Sequence, residues 1–229
     1  MNIFAMDTSS LTATVAVLCD DKLLGEYSVS DKLTHSQTIL PMTDELLTRL
    51  NIKISDIDVF SVCLGPGSFT GLRIGMATVK TFSQALNKPI IGVSSLDAIA
   101  YSIYCMDDTI VCPIVDARRD EVYNSLYQYN GKILADRALH IDELMTELKG
   151  KKVIFAGDGA LLHKDKILSA KEDSWNIAPS NMILPKASSV AYSAYSRAVN
   201  NDFDDCYTLE PVYLRKSQAE RELEERQNK

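Results

Sequence analysis

Ile3-Phe4-Ala5-Met6-Asp7-Thr8-Ser9-Ser10 reads as an apolar strand closing on an aspartate and a hydroxyl-rich turn. The same plan returns in Ile110-Val111-Cys112-Pro113-Ile114-Val115-Asp116. After Asp7, residues 12–18 alternate as a half-buried strand, Asp20-Asp21 turns, and residues 23–29 return. After Asp116, residues 121–129 form the next strand, Asn130-Gly131 supplies a hairpin turn, and the chain returns from Ile133. The interval from Asp7 to Lys22 matches that from Asp116 to Lys132 to within one residue. The echo predicts an α/β protein made of two β-β-β-α-β-α lobes with a cleft between them. Chance likeness of two β-meanders is the alternative. The expected lobes are residues 1–105 and 106–214, followed by a charged tail, 215–229, with little apolar content.

Between the strands, helices are expected at about 36–50 and 70–86, with a strand at 57–64 and another at 90–93. A further helix starts at Ser94 or Ser95 and runs to about Tyr104, and later ones cover 141–148 and beyond. Ile39, Met42 and Leu46 share one face of the first helix. Pro41 is expected in its first turns, where a missing N–H is tolerated.

Composition narrows the function classes. Across 229 residues, 46% are hydrophobic and 24% charged, as in an ordinary globular protein. No apolar run reaches bilayer-spanning length, so cytoplasmic residence without membrane contact is expected. The five cysteines form no C-x-x-C pair and read as reduced structural thiols. A net charge of −7 disfavours unaided binding of nucleic acid, which calls for a basic face.

Gly65-Pro66-Gly67-Ser68-Phe69-Thr70-Gly71-Leu72-Arg73-Ile74-Gly75 is the densest motif. A phosphate loop needs Gly-Lys-Ser/Thr at its end, and Gly71-Leu72-Arg73 stands there instead. Anion binding at the helix start by Ser68, Thr70 and Arg73 stays open as the lesser reading. The preferred one is packing. Gly71, Gly75, Thr78 and Phe82 form a small-residue stripe beside an apolar stripe, which suits a helix shared with another chain. Asp7-Thr8-Ser9, Asp116 and Gly157 form a candidate nucleotide set, with two carboxylates facing each other across the cleft. A metal site fails on ligand count, because Ile39 occupies the position four residues after His35 where a second histidine belongs. No G-x-S-x-G elbow is present, and no catalytic residue is assigned.

These stretches resemble the TsaB (YeaZ) family. The glycine run matches its signature, and Asp7-Thr8-Ser9, Thr34-His35-Ser36, Asp116-Ala117-Arg118-Arg119-Asp120-Glu121-Val122-Tyr123 and Pro211-Val212-Tyr213-Leu214-Arg215 agree. The resemblance implies the duplicated fold of actin, Hsp70 and sugar kinases. It also implies a non-catalytic partner of a TsaD-like enzyme that forms threonylcarbamoyladenosine beside the anticodon of tRNAs reading codons that begin with A. ATP or ADP and metal would belong to TsaD-like and TsaE-like partners, with no cofactor of this chain's own. tRNA would be met only through the complex, and the free chain would pair as a homodimer. The partner interface would comprise His35, Ile39, Met42, Leu46, Ser68, Thr70, Gly71, Arg73, Ile74, Gly75, Thr78 and Phe82. The competing function is an independent ATP-dependent transferase or kinase, or a glycoprotease-type peptidase.

Overall fold

The computed structural model describes residues 1–30, 33–170 and 172–215. The tail expectation therefore lies outside the described residues from position 216 onward. Strand β1 (Asn2–Asp7) is buried on both faces because β-strand side chains alternate and each face has a cover. Phe4 and Met6 enter one apolar cluster, while Ile3 and Ala5 enter another on the opposite face. β1 pairs antiparallel with β2 (Ala13–Cys19), which pairs with β3 (Lys22–Val29). β1 also runs parallel to β4 (Val59–Gly65), and β4 to β5 (Ile90–Ser94). The sheet order is β3-β2-β1-β4-β5.

The helices are α1 (His35–Leu50), α2 (Phe69–Leu86) and α3 (Ser95–Tyr101). The second half supplies β6 (Ile110–Asp116), β7 (Glu121–Gln128), β8 (Gly131–His140), α4 (Ile141–Glu147), β9 (Val153–Ala156), α5 (Asp158–Leu162), α6 (Lys164–Ser169), β10 (Trp175–Ile177) and α7 (Ala187–Ala198). Its sheet order, β10-β9-β6-β7-β8, repeats the first when read from the other edge. The duplication expected from the two strand-Asp segments is thus present: two mixed sheets with alternating helices.

Several boundaries differ from expectation. Ile57 closes a 3-10 turn through its N–H to the Ile54 carbonyl, so the strand begins at Val59. α3 ends at Tyr101, and Ser102 and Ile103 tighten into bonds to Ile99 and Ala100. Pro41 lies beyond the first turn of α1, on its exposed side. In the β7–β8 hairpin Gln128 pairs with Gly131, so Tyr129-Asn130 make the turn and Gly131 follows at φ 115°.

The halves also exchange helices. α7, from the end of the second half, lays Ala187, Ala191, Ala194 and Ala198 against Ile3, Ala5, Ala16 and Leu18 of the first sheet. α3, from the end of the first half, sets Leu96 and Ile99 against Val115, Tyr123 and Ala156 of the second. They meet where Ser102 Oγ and Ser189 Oγ lie 2.7 Å apart and Tyr101 stacks on Tyr192. By contact, α7 belongs with the first sheet, although its place in the chain falls within 106–214. Burial, which outweighs chain order, drives this: the first sheet's second face has to be covered.

Candidate functional site

The glycine turn clasps the chain's own β1–β2 turn. Ser68 caps α2, its Oγ accepting the Gly71 N–H at 3.2 Å, while its own N–H donates to the Ser9 carbonyl at 2.8 Å. Thr8 Oγ1 donates to the Gly71 carbonyl at 2.8 Å. A Cβ at Gly71 would lie 1.9 Å from the Thr8 carbonyl oxygen, and one at Gly75 2.4 Å from Thr8 Oγ1. These two glycines therefore admit the Thr8 backbone and side chain, where a helix of another chain had been expected. His35 joins the cluster, with Nε2 2.8 Å from the Ser10 carbonyl oxygen.

Asp7 sits beneath that turn, fully buried. Its Oδ1 accepts the Ser9 N–H at 3.0 Å, and its Oδ2 has no hydrogen-bond partner among the described residues. Desolvation raises its pKa above the ordinary carboxylate range, and the adjacent buried Cys63 thiol is pushed well up for the same reason. Thr8 and Ser9 are buried too. A ligand cannot reach Asp7, Thr8 or Ser9 while the turn is closed.

In the second half, Asp158 Oδ1 accepts the Asp116 N–H at 3.1 Å and the Gly159 N–H at 2.8 Å. Gly157, at φ 96°, lies so close to β6 that a Cβ would stand 2.1 Å from the Ile114 carbonyl oxygen. A cavity of about 410 Å³ opens there, lined by Asp116, Arg118, Arg119, Asp120, Leu162 and His163. It holds no residue of the Asp7 turn, so it does not bring the two aspartates together. A larger cavity, about 650 Å³, lies between α3, α7 and the β7–β8 hairpin. Its charges are paired internally: Lys132 Nζ is 2.8 Å from Asp97, and Arg197 Nη2 is 3.0 Å from Asp204.

The expected interface set divides by burial. Ile39, Met42 and Leu46 belong to the core beneath α1, and Gly71 and Gly75 face Thr8. Phe82 packs edge-on against Phe4 and meets Phe60 at 5.8 Å between centroids. The five buried ones, Ile39, Met42, Leu46, Gly71 and Gly75, are withdrawn from direct contact with a partner, and Phe82 is half-buried with its ring packed into the same core. Ser68, Thr70 and Arg73 are exposed, and His35, Ile74 and Thr78 are half-buried.

Arg73 Nε donates to the Tyr213 hydroxyl at 3.0 Å, and Tyr213 stacks on Phe69 with centroids 4.6 Å apart. The Val212 N–H donates to the Leu64 carbonyl at 2.9 Å. Val212 and Tyr213 are thus part of the glycine-turn surface. Tyr213 is outside the expected site residues; its stretch Pro211-Val212-Tyr213-Leu214-Arg215 carries the family resemblance but no periodic signal. Among the exposed large apolar side chains are Leu11 (85% exposed), Leu33 (58%) and Leu40 (51%), which lie near Ser10 and His35 in the chain.

Two five-stranded sheets in the same strand order, with helices between, define the duplicated architecture of the actin and Hsp70 class. Consistent with that, the activator of the 2-hydroxyisocaproyl-CoA dehydratase from Clostridium difficile superposes with a TM-score of 0.53 at 11% identity, covering 93% of this chain and 100% of that one. A solved Pseudomonas aeruginosa protein described as similar to the peptidase YeaZ superposes at TM-score 0.80 with 27% identity, over 93% and 99% of the chains. The family model for TsaD, tRNA N6-adenosine threonylcarbamoyltransferase, matches residues 23–223. The Bacillus subtilis tRNA threonylcarbamoyladenosine biosynthesis protein TsaB is 34% identical over 96% of both chains, and the Escherichia coli protein of that name 30% identical over 97% of this chain and 98% of its own. The chain belongs to the TsaB family of tRNA threonylcarbamoyladenosine biosynthesis proteins.

Proposed function

We propose that this chain serves tRNA threonylcarbamoyladenosine biosynthesis as a non-catalytic subunit that docks a TsaD-like enzyme through the N-terminal ends of α1 and α2. One observation carries the placement. Leu11, Leu33 and Leu40 are exposed within a few residues, along the chain, of the Ser10–His35 contact, and Ser68, Thr70 and Arg73 at the start of α2 are exposed as well. Exposed large apolar side chains gathered beside polar ones mark interaction surfaces. The relatives' names supply the pathway, and the burial of Asp7 supports a structural role for the first strand's carboxylate.

In this reading nucleotide and metal are held by the TsaD-like subunit and a TsaE-like ATPase, tRNA is met through the assembly, and two copies pair through the same surface when the chain is alone. The deciding experiment is co-purification of the TsaD-like subunit with wild type and with Leu11→Glu/Leu40→Glu. Both side chains are exposed, so the variant is expected to keep its circular dichroism and lose the partner by tenfold or more in affinity, a loss of about 1.4 kcal/mol. Unchanged affinity sinks the placement. Light scattering on the same two proteins reads the self-pairing. Sub-millimolar binding of Mg-ATP to the isolated chain would restore the competing reading of an ATP-dependent transferase or kinase.

A further inference from the structure

The cavity at the carboxyl end of β6 has features that partner docking does not use. Arg118, Arg119 and Asp120 all hold positive φ, at 63°, 59° and 57°. Each such residue costs roughly 1–2 kcal/mol relative to ordinary backbone, and strain of this kind persists only where surrounding structure holds it. Here the Ala117 N–H donates to the Glu121 carbonyl at 3.0 Å, the Glu121 N–H to the Arg118 carbonyl at 3.2 Å, and Arg215 Nη1 to the Ala117 carbonyl at 2.8 Å. Arg215 also pairs with the Glu121 carboxylate.

The loop so held presents two exposed guanidiniums at the cavity. Among the described residues, neither guanidinium forms an ion pair. Elsewhere in the fold, by contrast, Arg137 and Arg197 are matched to carboxylates. The same cavity wall contains His163, 7% exposed, whose Nε2 has no hydrogen-bond partner among the described residues. A buried polar nitrogen without a partner is uncommon in a native structure and calls for an explanation.

We propose that this cavity binds a phosphate group. Two guanidinium forks suit a tetrahedral oxyanion with several acceptors, and His163 Nε2–H would supply the remaining donor. Asp116 and Asp120 in the wall oppose an anion. Asp116 Oδ1 accepts the Arg118 N–H at 2.7 Å, so both carboxylates stand against the two guanidiniums. The phosphate could come from a free diphosphate or from an RNA backbone, since both offer the same oxygens. This inference does not rest on what docks at α1 and α2.

Calorimetry on the full chain with pyrophosphate, and separately with a short single-stranded RNA, tests it. Arg118→Gln and Arg119→Gln are each expected to weaken pyrophosphate binding about tenfold, whereas Arg49→Gln, the same charge change on exposed α1, leaves it unaltered. Asp120→Asn keeps a residue tolerant of positive φ and is expected to tighten binding about threefold. Pyrophosphate should also move the His163 side-chain nitrogen resonances. RNA binding that pyrophosphate competes away, and that the arginine variants lose, identifies the backbone as the source; pyrophosphate binding alone identifies the free anion. The proposal is overturned by absence of binding with both probes, by arginine variants that bind as tightly as wild type, or by His163 resonances that do not respond.

Discussion

Thr8 shows how one residue can set the character of a motif. Its carbonyl and hydroxyl fill the space that Gly71 and Gly75 leave empty. Gly71→Ala forces a Cβ to within 1.9 Å of the Thr8 carbonyl oxygen and is expected to cost ~2–3 kcal/mol through backbone displacement. Urea denaturation measures it, and an unchanged midpoint would mean that the turn yields freely. Gly75→Leu is for the same reason a poor probe of a partner contact, because it disrupts the chain's own turn first. Asp7 makes a different prediction. Burial lifts its pKa above that of the unfolded chain, so the native state keeps this proton to higher pH. The associated stability is fully present below the ordinary carboxylate range and is lost as pH rises through the raised value. Asp7→Asn is neutral throughout and is expected to gain on wild type steadily from acid toward neutral pH. Denaturation midpoints across that range check the sign.

At the scale of elements, α2 carries two kinds of surface that periodicity alone does not separate. Leu72, Met76 and Val79 are buried as their spacing predicts. The small stripe beside them is also inward, because the β1–β2 turn folds over the helix start. Helical spacing states that residues share a face, and it does not state what covers that face. The docking prediction consequently moves from the glycines to Leu40, whose helical spacing sets it beside the apolar face of α1, and to Leu11, which no periodic pattern singled out. α7 makes a similar point. Its alanines at 187, 191, 194 and 198 allow close approach to the first sheet. Ala194→Phe is expected to destabilise by ~2–3 kcal/mol, as overpacking of a filled interface does, with the loss read from thermal or urea unfolding.

Over the whole molecule, exchange of α3 and α7 ties the halves together. The Arg197 side chain adds a second tie, meeting the Gly92 carbonyl at 3.0 Å and the Asp204 carboxylate, while the Gly92 N–H donates to Asp204 Oδ2 at 2.7 Å. Residues 1–105 expressed alone lack the cover over Ile3, Ala5, Ala16 and Leu18. That fragment is expected to fail to fold into a unique state, seen as collapsed amide dispersion in its nitrogen–proton correlation spectrum. Well-dispersed peaks from the fragment would show that the first sheet is self-sufficient.

The sequence by itself determined the duplicated strand plan, the main helices and the family. Local hydrogen bonding and side-chain alternation act over a few residues, and Ile3–Asp7 and Ile110–Asp116 carry them openly. Only the tertiary structure decided which faces are free. It turned Gly71, Gly75, Ile39 and Met42 inward, brought Tyr213 onto Arg73, and set Arg118 and Arg119 beside the buried His163. Those outcomes depend on contacts between segments far apart in the chain, where burying apolar surface outweighs what any single stretch prefers.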